Sequence, residues 1–189
     1  MIFTESPIPG VFTIDPQILQ DDRGFFARGF CSNEFKEQGL EEIYVQCNLS
    51  YNKSRGTTRG MHFQKTPHEE VKLVRCISGA IFDVVVDFRK DSPTYLQWFG
   101  AELSAENRRM LYVPRGFAHG YQTLTDDAEV FYHVSEFYTP GAEGGLRWND
   151  TKLGIKWPIQ ETDQISEKDA SWPLTRQLTA QPCSRKWQS

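Results

Sequence analysis

The stretch AIFDVVVDF, residues 80 to 88, alternates as a strand does. A period of two puts Phe82, Val84, Val86 and Phe88 on one face and Ile81, Asp83, Val85 and Asp87 on the other. One face is dry and the other carries acids. Outward from it the same pattern recurs: VKLVRC from 71, IYVQCN near 43 and VFTID near 11 on one side, then YLQWFGAEL, RMLYVP, GYQTL and AEVFYHVSEF on the other. Short Val-, Ile-, Phe- and Tyr-rich runs at this spacing predict a β-sandwich or barrel. Ile77-Ser78-Gly79 reads as a hairpin turn between two of the runs, and Ser92-Pro93, Pro114-Arg115-Gly116 and Thr139-Pro140-Gly141 are further breaks. Helix is sparse. SNEFKEQG (32 to 39) predicts a short one capped by Ser32 or Asn33 and ended by Gly39, and SEKDASW predicts another helical turn.

The 189 residues suit one domain spanning 1–189, with an irregular, partly helical C-terminal segment from about 159 and a frayed end, TAQPCSRKWQS. A formal charge of −4 gives no electrostatic reason to expect nucleic acid. Cys31, Cys47, Cys76 and Cys183 stand far apart without a C-x-x-C pair, which fits a reduced compartment. The N-terminus lacks a basic and then apolar leader, and no apolar run approaches the roughly 18 residues of a membrane span, so a cytoplasmic protein without membrane contact is expected.

Polar residues stand where a core would want apolar ones. RGMHFQKTPHEEVKLVR (59 to 75) holds two of the four histidines yet ends as a half-buried strand. In AEVFYHVSEF, Tyr132 falls with Val130 and Val134, and His133 with Phe131 and Phe137, so one polar ring must face the interior. A small barrel lined by Lys72, Tyr132, Asp83 and histidines would have a polar lumen, which a fold tolerates for a ligand. Each residue also has a plainer explanation: Lys72 as an edge-strand lysine, Tyr132 as a core ring with a satisfied hydroxyl, and Asp169 as part of a helix start. Pro114-Arg-Gly116-Phe-Ala-His119 matches the P-x-G-x-x-H half of the cupin signature. The H-x-H half is missing, which leaves a metal-dependent cupin oxygenase or isomerase using His62, His68 and His119 as an alternative, and a metal-free barrel favoured.

From about residue 7 to 173 the chain carries DDRGFF, QCNLS, TTRGMHFQ, VKLVRC, GAIFDVVVDFRKDSPTY, ELSAENRRMLYVPRGFAHG, AEVFYHVSEFYTP, WNDTKLGIKWP and SEKD in one order. In these motifs it resembles the dTDP-4-dehydrorhamnose 3,5-epimerase family of nucleotide-sugar enzymes. The resemblance implies a mainly β, cupin-like double-stranded β-helix (jelly-roll) barrel with a few short helices, acting as a homodimer without cofactor or metal. It implies epimerisation at C3 and/or C5 of a nucleotide-diphospho-4-keto-6-deoxyhexose of the dTDP-4-dehydro-6-deoxyglucose type, in deoxysugar and polysaccharide biosynthesis. The family's base falls on His62 with its aspartate on Asp169, its acid on Tyr132 and its keto-oxygen lysine on Lys72. Substrate binding falls on Arg23, Phe26, Arg28, Gln46, Asn48, Arg59, His119, Phe137 and Tyr138, with diphosphate on Arg23 and Arg59.

These residue types suit the chemistry. A hydrogen beside a ketone is removable near neutral pH only if the enolate oxygen is stabilised, which an ammonium does, while imidazole and phenol can exchange protons on the two faces. Two points resist the pattern. Arg59 and His62 are three apart, so they can share a pocket only through a bulge or at a strand end. Position 28 is arginine where the rhamnose-pathway pattern has glutamate, and a donor facing the base opens a CDP-linked substrate as an alternative. A non-catalytic binding cupin is the third alternative, and the joint presence of His62, Lys72, Tyr132 and Asp169 argues against it.

Overall fold

The computed structural model describes residues 1–160 and 164–179. In chain order its elements are β1 (Ile2–Glu5), β2 (Phe12–Asp15), β3 (Ile18–Asp21), β4 (Gly24–Ala27), α1 (Ser32–Glu37), β5 (Gln46–Asn52), β6 (Thr58–Gln64) and β7 (Lys72–Ser78). They continue with β8 (Ala80–Asp87), β9 (Trp98–Ser104), β10 (Met110–Val113), β11 (Phe117–Thr123), β12 (Ala128–Val134), β13 (Glu143–Gly145), α2 (Glu167–Ala170) and α3 (Thr175–Thr179). Two antiparallel sheets result, β1-β2-β10-β7-β12-β5 and β13-β6-β11-β8-β9, with β3 and β4 as a separate two-stranded ribbon. This is the mainly β sandwich expected from the alternating runs, and it has the cupin-like form that the resemblance implied. The frayed end and Cys183 lie outside the described residues, among which no helix is long and apolar enough to cross a membrane.

Three apolar clusters explain why so many strands read as nearly continuous hydrophobic runs. Between the sheets lie Val74, Ile81, Val85, Leu103, Leu111 and Val130. The outer face of the six-stranded sheet is covered by α1 and its flanks, through Phe35, Leu40 and Leu73. Val84, Val86 and Met61 on the other outer face pack under Leu146, Leu153 and Trp157. Strand β8 is therefore buried on both faces, its dry side outward against the 146–157 segment and its acid side inward.

Two local expectations are corrected. Ile77-Ser78-Gly79 does not close a hairpin: β7 is already flanked by β10 and β12, and β8 by β9 and β11, so the turn at Gly79, with φ +69°, carries the chain from one sheet to the other. Helix α1 starts one residue before the expected caps, at Cys31, with no side-chain cap. An apolar contact replaces the polar one, since Phe30 before the cap packs on Phe35 with ring centroids 4.9 Å apart, a hydrophobic staple.

At the end of β8 the buried Asp87 carboxylate receives Arg89 on both oxygens (2.9 and 2.8 Å), Ser92 Oγ (2.6 Å) and Thr94 Oγ1 (2.7 Å). Burial acts to raise its pKa, but these donors outweigh it and hold the group down at about 2. Because the folded value lies below the unfolded 3.8, the stabilisation is complete above pH 3.8 and is lost as pH falls towards 2. Asp87→Asn is expected to cost about 2–3 kcal/mol at pH 7. Urea midpoints between pH 4 and 2 should fall more steeply for the wild type than for the variant.

Candidate active site

The inner faces of the two sheets frame a cleft of about 230 Å³, open on one side. The six-stranded sheet supplies one wall. Lys72 pairs with Val134 and Val134 with Gln46, while Tyr132 pairs with Asn48, so Gln46, Asn48, Lys72, Tyr132 and Val134 all face the same side. Strand β7 lies inside its sheet, and the Lys72 side chain is only 12% exposed, which displaces the edge-lysine explanation. Tyr132 is the ring that turns inward. His133 faces outward, stacked beside Phe30 and against Phe131, where burial lowers its pKa.

The five-stranded sheet supplies His62, held between His119 on β11 and Gly145 on β13. Its Nε2 is 2.6 Å from Asp169 Oδ1, across 107 residues of chain. Asp169 does occupy the third position of a helix capped by Ser166, whose Oγ accepts from the Asp169 amide (3.1 Å). Its carboxylate leaves the helix, however, and takes the Gly60 amide (3.2 Å) and the Trp172 indole (3.3 Å) as well as His62. Burial acts to raise Asp169, but the hydrogen bond and charge of His62 and these two N–H donors hold it below the ordinary carboxylate value. It stays ionised beside the imidazole.

Of the two arrangements that the Arg59–His62 spacing allowed, a bulge or a strand end, the structure has the bulge. His119 pairs with His62 and Tyr121 with Arg59, so Gly60 and Met61 on β6 face Gly120 alone on β11. Gly60 sits at φ +125°, and a Cβ there would lie 2.5 Å from Gly120 Cα. Arg59 is exposed beside the cleft, donating from Nε to Asn52 Oδ1 (2.7 Å). Its charge reaches Tyr132, whose pKa is raised by burial and by Glu70 and lowered by Arg59 and by a hydrogen bond with Asn48.

Several expected binding residues are not brought to this cleft. Arg23, Phe26 and Arg28 are exposed on or beside the β3–β4 ribbon, which pairs with no other strand among the described residues; Arg23 reaches Asp21 at 2.6 Å and Arg28 reaches Glu34 at 2.7 Å. The cytosine alternative rests on Arg28 facing a base, and Arg28 stands away from the cleft of its own chain. His119 is buried behind the cleft with Nε2 2.7 Å from Asp83 Oδ1, and Tyr138 lines the cleft while Phe137 projects outside. His62, His68 and His119 have separate partners in Asp169, Thr139 and Asp83, and no group of three or more His, Cys, Asp or Glu suited to a metal forms among the described residues.

Among the cleft residues, Gln64, Glu70, Glu143 and Trp172 were given no role from the sequence. Trp172 had a signal in its spacing from Asp169, three residues on along a helical turn. Glu143 had none, because it reaches the cleft by the pairing of the short strand β13 with β6, where it ion-pairs with Lys168 (2.8 Å).

The model of the family described as dTDP-4-dehydrorhamnose 3,5-epimerase matches residues 5–177. A protein of that name from Salmonella typhimurium is 44% identical over 94% of this chain and 97% of its own length. The crystal structure of the Elizabethkingia anophelis enzyme of that name superposes with a TM-score of 0.90 at 40% identity, covering 94% of this chain and 97% of its own. That from Bacillus anthracis, with TDP and PPi bound, gives 0.88 at 43% identity, covering 92% and 98%.

Because a side chain at position 60 would strike backbone, Gly60→Ala is expected to lower stability by about 2–4 kcal/mol. Urea denaturation measures it, and a change below 0.5 kcal/mol (about the scatter of a surface substitution) would contradict the bulge geometry.

Proposed function

The chain belongs to the dTDP-4-dehydrorhamnose 3,5-epimerase family, and from that premise we propose that its cleft inverts C3, C5 or both of a dTDP-4-keto-6-deoxyhexose by proton removal and return. The chain is an isomerase-class epimerase, and the assignment of steps to residues rests on one observation. His62 and Tyr132 line the same cleft from opposite sheets, with Lys72 beside the tyrosine.

His62 Nε2 is engaged by Asp169, which leaves Nδ1 to take the proton from the carbon next to the ketone. The electron pair of the broken C–H bond moves onto the carbonyl oxygen, and the Lys72 ammonium stabilises the enolate. Asp169, ionised, orients the imidazole and balances its charge once protonated. Tyr132 then delivers a proton to the opposite face of the same carbon, and its raised pKa keeps the phenol protonated through neutral pH. Proton return from Tyr132 inverts the centre, whereas return from His62 restores it. Gln46 and Asn48 supply amides along the same wall, and Arg59 and Tyr138 flank the mouth, where a diphosphate and a base would sit.

We also propose a homodimer in which the ribbon of one copy brings Arg23, Phe26 and Arg28 to the cleft of the other. Support comes from the 66% and 68% exposure of Leu19 and Phe26 on the ribbon, and 69% for Leu49 on the edge strand β5. Sedimentation equilibrium is expected to give twice the 21.8 kDa chain mass, and Arg23→Ala to weaken dTDP binding about tenfold, the loss of a charge-assisted hydrogen bond. A monomer, or an Arg23→Ala variant with unchanged affinity, would contradict this arrangement.

In heavy water, the wild type should wash deuterium into C3 or C5, and His62→Ala should reduce this by about 10²–10⁴-fold. Tyr132→Phe should keep measurable wash-in while inverted product drops by about 10², because only one face still exchanges. Unchanged wash-in in His62→Ala would reject the imidazole as the base.

A further inference from the structure

Glu70 takes no step in the scheme above, yet its carboxylate faces the group on which the scheme depends. Its Oε1 lies 3.1 Å from Lys72 Nζ, and both side chains are only 12% exposed. Its Oε2 accepts from Gln64 Nε2 at 3.3 Å. The same NH2 shares its two hydrogens between that carboxylate and the carbonyls of His68 (3.1 Å) and Phe137 (3.2 Å), and the Gln64 carbonyl accepts from the Thr139 amide (2.8 Å). One buried amide thus ties the carboxylate to the backbone on both sides of Tyr138.

Among the described residues, the other charged groups near this pair are already committed. Asp169 is held by His62 and Glu143 by Lys168, while Arg59 is bonded to Asn52. Tyr132 and Tyr138 complete the lining. Glu70 is therefore the carboxylate that fixes the Lys72 ammonium. A lysine stem has several rotamers of similar energy, and an ammonium aimed in advance at a developing enolate oxygen needs no reorganisation when the charge appears.

Resting on the epimerase scheme above, we propose that Glu70 is a positioning residue: gripped by Gln64, its carboxylate holds Lys72 Nζ in the cleft beside Tyr132, where the enolate oxygen forms. The same negative charge also helps to keep the Tyr132 phenol protonated, after burial the larger cause.

Glu70→Ala and Glu70→Gln separate this from a purely structural ion pair. In Glu70→Ala, kcat is expected to fall about 10–100-fold, with dTDP affinity by calorimetry within twofold of wild type, since the ammonium is displaced and the nucleotide end is untouched. Glu70→Gln keeps an oxygen for Lys72 and should restore kcat to within about fivefold of wild type. It also removes a charge that raises Tyr132, so the alkaline limb of its kcat profile should move to lower pH. Wild-type kcat in Glu70→Ala, a loss confined to dTDP affinity, or a Glu70→Gln profile that overlays the wild type would each overturn the proposal alone. Absence of deuterium wash-in by the wild type would overturn it together with the epimerase scheme.

Discussion

A barrel interior can hold ionisable groups only if each has a partner inside, because an unpaired buried charge costs several kcal/mol. This constraint organises the cleft. His62 is matched by Asp169, His119 by Asp83 and Lys72 by Glu70, at 2.6, 2.7 and 3.1 Å. The pairs also fix geometry. Asp169 arrives on α2, far along the chain from β6, so docking of the C-terminal segment is a condition for orienting the imidazole. The Gly60 amide, donated to the same carboxylate, locks the bulge to that helix.

The two sheets divide the chemistry between them. The middle of the sandwich is closed by Ile81, Val85, Leu111 and Val130, and towards one end polar side chains from both inner faces line the cleft. There the six-stranded sheet presents a phenol and an ammonium, and the five-stranded sheet an imidazole. In the proposed scheme, inversion at a carbon needs groups on both sides of a sugar plane, and His62 and Tyr132 stand on facing sheets. The bulge in β6 supplies the remaining adjustment, since a regular strand would turn Arg59 and His62 to opposite faces.

Much of the architecture was legible in the chain. Period-two alternation gave the strands from β7 to β12, and within β8 it gave the correct division into a face carrying Asp83 and Asp87 and a face carrying Val84 and Val86. The spacing of Arg59 and His62 allowed a bulge or a strand end, and strand pairing decided for the bulge. Motif likeness selected His62, Lys72, Tyr132 and Asp169, which the structure gathers around one cleft and its helix. The hairpin expected at Gly79 was wrong because a turn signal reports a reversal of the chain and says nothing about which edge the next strand will join. The cap of α1 was misplaced because a Phe30–Phe35 contact did what a polar cap was expected to do.

What the sequence determined by itself is local: side-chain alternation, turn positions and the residue types able to move a proton follow from covalent order and backbone geometry. Tertiary structure alone decided which of those residues meet. That Lys72 is central and not at an edge, that Glu70 and Gln64 stand behind it, and that Arg23, Phe26 and Arg28 lie away from their own cleft all depend on strand order and sheet assignment. These are set by contacts between residues distant along the chain, whose energies no short stretch of sequence contains.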